Sequence, residues 1–245
     1  MLDYQKNGIK WGEKGAYTYM LEESGLIDKI GSISCILECG ARAGEDSIAL
    51  ADIFKCPVHA FEPNPVSIEF CKKHFGERKD IFLNECAVSD YDGRTTFYSV
   101  NTDKYPNVGA SSLYKFDMDS KHLHPPEVLR AGNEIQYEID VEVKRLDTYC
   151  KDKQLIPEAL FMDIQGSELN ALKGLGDYIG SVKLIGLETQ YISSYKGGDV
   201  FSSINEFLTS HGFQFAWCWQ THGNTLPPMP NPLKEHWWDM LFVKI

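Results

Sequence analysis

Residues 35–65 read CILECGARAGEDSIALADIFKCPVHAFEPNP, and this stretch decides the fold. Its apolar runs, paired glycines and closing acid follow the order strand, turn, helix, strand, acid. We predict a strand at 33–38, a turn at Gly40 and Gly44, a helix at 45–54, a strand at 58–61 and an acidic strand end at Glu62. Together these parts indicate a nucleoside-binding βαβ unit, in which the acid binds ribose hydroxyls.

The spacing of the glycines narrows the choice of nucleoside. A nicotinamide enzyme would carry G-x-G-x-x-G after the first strand, whereas residues 38–44 read E-x-G-x-x-x-G. The middle glycine is what allows the backbone to approach a pyrophosphate closely. Glu62 would serve NAD or S-adenosylmethionine equally, so the acid does not discriminate between them. The turn therefore favours a nucleoside whose tail is not a diphosphate.

The rest of the chain continues the alternation of strands and helices. Apolar strands are predicted near 81–83, 159–163 and 182–187, and helices at 65–75, 167–173 and 202–210. Strands separated by helices predict a parallel sheet with right-handed crossovers and helices on both faces. The C-terminal strands, 213–219 and 237–243, have no helix between them, so we predict that the sheet ends in an antiparallel hairpin.

Two segments depart from this alternation. Residues 1–30 predict a helical lead-in. Residues 94–143 form an insertion, because 94–100 and 136–143 alternate strictly and so predict an antiparallel strand pair. The long loop between them, 101–133, is expected to border the active site. We expect one domain spanning residues 1–245.

Composition limits the partners and the compartment. The net charge is −11, with 24 basic against 35 acidic residues, which argues against a nucleic-acid-binding protein. Seven cysteines without a C-x-x-C pair favour free thiols in the reducing cytoplasm. We expect no membrane span, because no apolar run approaches the ~20 residues that one requires. The oligomeric state stays open.

Several collinear motifs resemble those of the FkbM family of S-adenosylmethionine-dependent methyltransferases. They are LECGARAGEDS (37–47), HAFEPNP (59–65), NECAVSD (84–90), GASSL (109–113), RLD (145–147) and FMDIQGSELNALKG (161–174). The resemblance implies an α/β, Rossmann-like class I methyltransferase fold: a mostly parallel seven-stranded sheet whose last strand is antiparallel. Many relatives read K-x-D-x-E-G at the fourth strand, where this chain has Phe161 and Gln165.

The resemblance also implies the residues that bind S-adenosylmethionine. Glu38, Gly40 and Gly44 would surround its methionine half, and Glu62, followed by Pro63, would hold the ribose hydroxyls. Ala87 and its neighbours, at the end of the third strand, would lie against the adenine, and Asp163, at the tip of the fourth strand, would face the reacting centre. The cofactor-binding residues implied are therefore Glu38, Gly40, Gly44, Glu62, Pro63, Ala87 and Asp163.

Asp163 is the candidate catalytic residue. If the acceptor is a hydroxyl of a small molecule, glycan or lipid-linked sugar, a base within hydrogen-bond reach assists the transfer. The alternative roles for Asp163 are an N-cap for the helix near Gly166 and a purely cofactor-contacting carboxylate. We expect no metal site, because His122 and His124 form an H-x-H pair without a nearby matching acid or cysteine. These two histidines, or His222 and His236, are alternative bases.

Two other functions are weighed against O-methyl transfer. The first is a nicotinamide-dependent oxidoreductase on a similar sheet, which the glycine pattern disfavours. The second is a non-catalytic module that binds S-adenosylmethionine without turnover, which Phe161 and Gln165 leave open. Fold alone does not identify the acceptor.

Overall fold

The computed structural model describes residues 2–9, 15–119, 126–219 and 237–245. Its strands are β1 (Ile36–Cys39), β2 (Val58–Phe61), β3 (Ile81–Asn84), β4 (Ala87–Val88), β5 (Gly93–Val100), β6 (Gln136–Lys144), β7 (Ala159–Met162), β8 (Leu184–Gln190), β9 (Phe213–Trp219) and β10 (Trp237–Lys244). Its helices are α1 (Ala16–Ser24), α2 (Ile27–Ile30), α3 (Glu45–Phe54), α4 (Pro65–Phe75), α5 (Pro126–Ala131), α6 (Leu146–Lys153), α7 (Glu168–Gly174) and α8 (Phe201–Ser210).

Seven of the strands form one sheet in the order β3-β2-β1-β7-β8-β10-β9. The first five of these pair in parallel, and β10 pairs antiparallel with both β8 and β9. The predicted C-terminal hairpin and the mostly parallel sheet are therefore confirmed. Strand order reverses between β1 and β7, and ligands of open α/β sheets bind at such a point, outside the carboxyl ends of the strands.

Helices cover both faces of the sheet, as predicted. Buried side chains of α1, α3 and α4 pack on one face, and those of α6, α7 and α8 pack on the other. The strands between them are apolar on both sides: β1, β2 and β7 are buried at every position. Continuous burial of this kind is typical of parallel strands enclosed by crossover helices.

The insertion forms a second, three-stranded sheet in the order β4-β6-β5. The antiparallel pairing of β5 with β6 confirms the predicted strand pair. Ala87 lies in β4, which pairs in parallel with β6, so the expectation that it ends the third strand of the main sheet is wrong. The segment predicted as a loop also contains α5 and a 3-10 turn at Val108–Ala110.

Two boundaries of the main sheet differ from the prediction in ways that affect the site. The first strand ends one residue later than predicted, at Cys39. The strand predicted to stop before Glu188 continues to Gln190, because β10 supplies partners up to Trp237. Glu188 is therefore part of the sheet. Within the described ranges, every helix is too short or too polar to cross a bilayer.

Candidate active site

A cleft of about 560 Å³, counting the part open to solvent, lies at the carboxyl ends of β1, β2 and β7. Its walls combine apolar side chains with a few polar groups, and they come from both sheets. They include Gly40, Arg42, Phe61, Glu62, Pro63, Ala87, Val88, Phe97, Gly109, Ser111, Leu113, Asp163 and Ile164.

The glycine turn brings β1 close to β7. Gly40 has a φ of +90°, and a Cβ there would lie 2.0 Å from the carbonyl oxygen of Asp163. Its N–H donates to the carbonyl of Phe61 at 2.9 Å, which fixes the turn on β2. Gly44 has a φ of +88° and opens α3, where a Cβ would lie 2.3 Å from the Phe75 ring. Both glycines are therefore required by close packing around the turn.

Glu62 presents its carboxylate to the cleft from the end of β2. One oxygen accepts the N–H of Arg42 and the other accepts the N–H of Asn64, each at 2.8 Å. Burial raises the pKa of Glu62 to about 7, although these two backbone hydrogen bonds oppose the shift. The carboxylate is thus held in one orientation by main-chain donors, and its remaining lone pairs can accept ligand hydroxyls.

Asn64 connects the end of β2 to the inserted sheet. Its side-chain oxygen accepts the N–H of Val66 and caps α4, and Pro65 occupies the first turn of that helix. Its amide nitrogen donates to the hydroxyls of Ser99 (3.0 Å) and Ser111 (3.2 Å). The insertion is therefore attached directly beside Glu62, and its Ser111 side lines the cleft.

Arg42 follows Gly40 in the glycine turn and lines the cleft. It has a φ of 53°, and its guanidinium donates to the carbonyl of Gly8 in the N-terminal segment. Its Nε is buried and has no hydrogen-bond partner among the described residues. A Cβ on Gly109 would lie 2.9 Å from this nitrogen, so Gly109 leaves room for the side chain. The cleft thus contains a positively charged donor available for an anionic group.

Five of the predicted cofactor-binding residues line the cleft: Gly40, Glu62, Pro63, Ala87 and Asp163. Glu38 and Gly44 lie behind the turn and are not among the lining residues. The Glu38 carboxylate is 2 % exposed and accepts the hydroxyl of Ser47, and burial raises its pKa to about 8. The structure thus places Glu38 beneath the turn; its predicted contact with the methionine half stays a prediction.

Asp163 follows β7 and lines the cleft, and β1 separates it from Glu62, which follows β2. One of its carboxylate oxygens accepts the amide N–H of Gln165 at 2.5 Å. Asp163 does not cap α7: Glu168 accepts the N–H groups of Ile164 (3.1 Å) and Gly166 (3.0 Å) at the start of that helix. Burial raises the pKa of Asp163, and the Gln165 hydrogen bond opposes that shift.

Sequence reasoning assigned no role to the residues that surround Asp163. The Gln165 amide also donates to Glu188 at 2.6 Å, and its carbonyl accepts the hydroxyl of Tyr195 at 2.7 Å. Asp239 lies opposite Glu188 in the pairing of β8 with β10. In the sequence, Glu188 and Asp239 are recognisable only as acids inside otherwise apolar strands. Their proximity depends on the pairing register of β8 and β10, which is a property of the folded sheet.

The described residues contain no group of three or more side chains arranged to hold a metal ion. His122, His124, His222 and His236, the histidines considered as metal ligands or bases, lie outside the described residues.

This fold and site define a class of protein. A seven-stranded sheet in this order with an antiparallel β10, and a ligand-facing acid at the end of β2, is the arrangement of a class I methyltransferase. A family model described as the methyltransferase FkbM domain matches residues 38–215. The chain therefore belongs to the FkbM family and is an S-adenosylmethionine-dependent methyltransferase. Both alternatives, the oxidoreductase and the non-catalytic module, are set aside.

The chain is also similar to several individual proteins. The chain is 26% identical over 179 residues, 71% of each protein, to 2-O-methyltransferase NoeI of Sinorhizobium fredii (strain NBRC 101917 / NGR234). A solved rRNA methylase from Streptococcus thermophilus overlays with a TM-score of 0.47 at 8% identity, covering 91% of this chain and 95% of that chain. Precorrin-6y C5,15-methyltransferase from Geobacter metallireducens GS-15 overlays with a TM-score of 0.46 at 13% identity over all of both chains.

Proposed function

We propose that the enzyme methylates a hydroxyl oxygen of a small-molecule or glycan acceptor, lipid-linked sugars included, with Asp163 as the catalytic base. The observation that carries the proposal is the position of Asp163. Its carboxylate lines the cleft and also contacts the side-chain network that leads away from it. A group placed there can contact both the methyl donor and the acceptor.

The cleft fits S-adenosylmethionine. We assign the ribose hydroxyls to Glu62, whose orientation is fixed by two backbone N–H donors. The unpartnered Nε of Arg42 supplies a donor for the carboxylate of the cofactor. Pro63, Ala87 and neighbouring apolar residues form the adenine wall. Gly40, Gly44 and Glu38 shape and support the turn on which these groups depend.

The chemistry required of the protein is limited. The bound cofactor supplies a methyl group activated by its sulfonium, which leaves as a neutral thioether. As the acceptor oxygen forms its bond to the methyl carbon, the carbon–sulfur bond breaks and the acceptor proton passes to Asp163. The protein must therefore bind, orient and exclude water, and hold an ionised carboxylate at the acceptor oxygen.

Three observations support the proposed acceptor and setting. The relative NoeI is named a 2-O-methyltransferase, which supports oxygen as the methylated atom. The net charge of −11 supports a small molecule or glycan over nucleic acid. All seven cysteines are free and buried, which supports a reducing, cytoplasmic setting. We further propose that residues 1–245 act as one domain.

Calorimetry with S-adenosylhomocysteine, the demethylated product, tests the cofactor assignment. Glu62→Ala is expected to weaken binding at least tenfold, ~1.4 kcal/mol. Glu77→Ala, an exposed acid after α4, is the matched control and should bind like the wild type. Because Glu62→Ala leaves two backbone N–H groups without an acceptor, Glu62→Gln, which retains one acceptor oxygen, checks that the fold survives.

An assay for methyl transfer then tests the acceptor class. Tritiated methyl groups from S-adenosylmethionine are expected to appear on hydroxyl-bearing acceptors, and mass spectrometry of the product should locate them on oxygen. Folded protein that binds neither the cofactor nor its product, or products methylated on nitrogen, would overturn the proposal.

A further inference from the structure

Three carboxyl groups form a row across three neighbouring strands. Asp239 on β10 lies opposite Glu188 on β8, so both side chains project from the same face of the sheet. The register of β7 and β8 pairs Met162 with Leu187, which places Asp163 beside Glu188. The carboxyl row, Asp163–Glu188–Asp239, therefore begins at the cleft wall and runs away from Glu62.

Side-chain hydrogen bonds fix the near end of the carboxyl row. Gln165 bridges Asp163 and Glu188 through its amide nitrogen, at 2.5 and 2.6 Å. The Tyr195 hydroxyl donates to the side-chain oxygen of Gln165, and the Ser112 hydroxyl donates to the main-chain carbonyl of Gln165, each at 2.7 Å. Gln165 is 9 % exposed and has a φ of 56°. Tyr195 and Ser112 hold Gln165 in place, and its amide nitrogen in turn fixes the positions of the Asp163 and Glu188 carboxyl groups.

Two buried polar groups at the carboxyl row have no partner among the described residues. Gln190 follows Glu188 by two positions and so shares its face. Its Oε1 accepts the N–H of Ser194 at 2.6 Å, which fixes the amide, while its Nε2 is unpartnered although the residue is 2 % exposed. The Tyr17 hydroxyl is also unpartnered, and the residue is 4 % exposed. Unpaired buried donors of this kind are uncommon, and a ligand that accepts hydrogen bonds from them would satisfy both.

The position of Tyr17 relates its hydroxyl to the same row. Its ring packs against Phe161, two residues before Asp163, with ring centroids 5.1 Å apart. Burial raises the pKa of Tyr17, and the charges of Asp163, Asp239, Asp46 and Glu188 raise it further. Tyr17 therefore packs on the face of the sheet from which the carboxyl row projects, beside the strand that leads to Asp163.

Protonation makes this surface suited to neutral hydroxyl groups. Burial raises the pKa of Glu188 and of Asp239 well above the ordinary carboxyl range, and the Asp163 charge adds to both shifts. A hydrogen bond between Glu188 and Asp163 raises the pKa of Glu188 further and lowers that of Asp163, against the burial that raises both. These shifts favour the protonated form at the far end of the row. Carboxylic acids donate to and accept from alcohols, and they attract an ammonium group less than carboxylates do.

We propose that the carboxyl row, with Gln190 and Tyr17, is the acceptor subsite and that it binds a polyol with neighbouring hydroxyls, such as a neutral sugar ring. This inference rests on the proposed function. One hydroxyl bonds Asp163, where it is methylated, and the next lies against Glu188 and Asp239. Gln190 Nε2 and Tyr17 Oη donate to further ring oxygens. Specificity then comes from the second hydroxyl, because an isolated alcohol leaves the far end of the row unpaired.

Ligand-observed NMR on protein saturated with S-adenosylhomocysteine tests this subsite. The probes are methyl α-glycosides of glucose, galactose and mannose, with glucosamine and cyclohexanol as amine and single-hydroxyl comparisons. At least one glycoside is expected to bind, and both comparison compounds more weakly. Glu188→Gln should weaken glycoside binding at least tenfold and leave S-adenosylhomocysteine binding within twofold. Glu206→Gln, the same change on the exposed face of α8, should alter neither.

Tyr17→Phe separates binding from folding. It keeps the buried ring and removes only the unpartnered hydroxyl, so the protein should fold normally and bind the glycoside three- to tenfold more weakly. Four results would each overturn the subsite. They are unchanged glycoside binding in both Tyr17→Phe and Glu188→Gln, no binding by any glycoside, tighter binding of glucosamine, and a requirement for Mg²⁺. Loss of S-adenosylhomocysteine binding by the wild type would overturn the proposed function instead, so the two failures are distinguishable.

Discussion

The two sides of Asp163 are built in different ways. On the cofactor side, the Glu62 carboxylate is held by backbone N–H groups from residues close to it in the βαβ unit. On the other side, the carboxyl row is held by the side chains of Gln165 and Tyr195 and leaves Gln190 Nε2 unpartnered among the described residues. A main-chain cradle suits a ligand shared by a whole class of enzymes, whereas a side-chain network can change with the acceptor.

The largest effect is expected at Asp163, where the two sides meet. Asp163→Asn keeps the size of the side chain but removes the carboxylate that accepts the proton. Methyl transfer to an identified hydroxyl acceptor should therefore slow by about 100-fold or more in kcat. The affinity for S-adenosylhomocysteine, measured by calorimetry, should change by less than about threefold, because the proposed contacts of Glu62 and Arg42 with the cofactor are retained.

The opposite pattern would place Asp163 on the cofactor side alone. If Asp163→Asn loses cofactor affinity and turns over normally once saturated, the carboxylate binds the cofactor and does not act as the base. Asn170→Asp, a change of the same two residue types on α7, serves as the control. Asn170 donates to the Tyr114 hydroxyl at 2.9 Å and is not among the cleft-lining residues.

The same contrast explains what could be predicted from the sequence. Helices α3 and α4 begin and end where expected, because their signals are local: glycine before one, Asn64 and Pro65 at the start of the other. The glycine pattern and Glu62 belong to one continuous unit, which predicted a nucleoside without a diphosphate tail. The collinear FkbM motifs then implied S-adenosylmethionine. Glu188 and Asp239 meet only through the register of β8 and β10. No local pattern encodes that pairing, so the carboxyl row could not be predicted from the sequence.

Asn64 tests how firmly the cofactor side is attached to the insertion. Asn64→Ala removes the cap of α4 and two hydrogen bonds to buried serine hydroxyls. We expect the free energy of unfolding to fall by about 2 kcal/mol, of which the cap contributes about half. Urea denaturation measures this change. Asn133→Ala, a control at an exposed position, should change the free energy of unfolding by no more than ~0.5 kcal/mol. If the two substitutions lower it equally, the Asn64 contacts contribute little to stability.

The smallest effect is a pH dependence that separates Glu62 from the other buried acids. Because burial raises its pKa from 4.5 to about 7, folded Glu62 retains a proton that the unfolded chain has lost. Its contribution to stability is therefore present below pH 4.5 and is lost as the pH rises through 7. Ribose hydroxyls donate to the ionised carboxylate, so cofactor affinity should change in the opposite direction and increase with pH.

Between pH 6 and pH 8 the ionised fraction of Glu62 rises from about a tenth to about nine tenths, so affinity for S-adenosylhomocysteine should increase by up to about tenfold. Burial also raises the pKa of Glu38 and of Glu168 to about 8 and that of Asp46 to about 7, so these acids titrate in the same range. Glu62→Gln cannot ionise and isolates the contribution of Glu62. A pH slope that persists in Glu62→Gln would assign the effect to those acids and leave the carboxylate of Glu62 without a role in ribose binding.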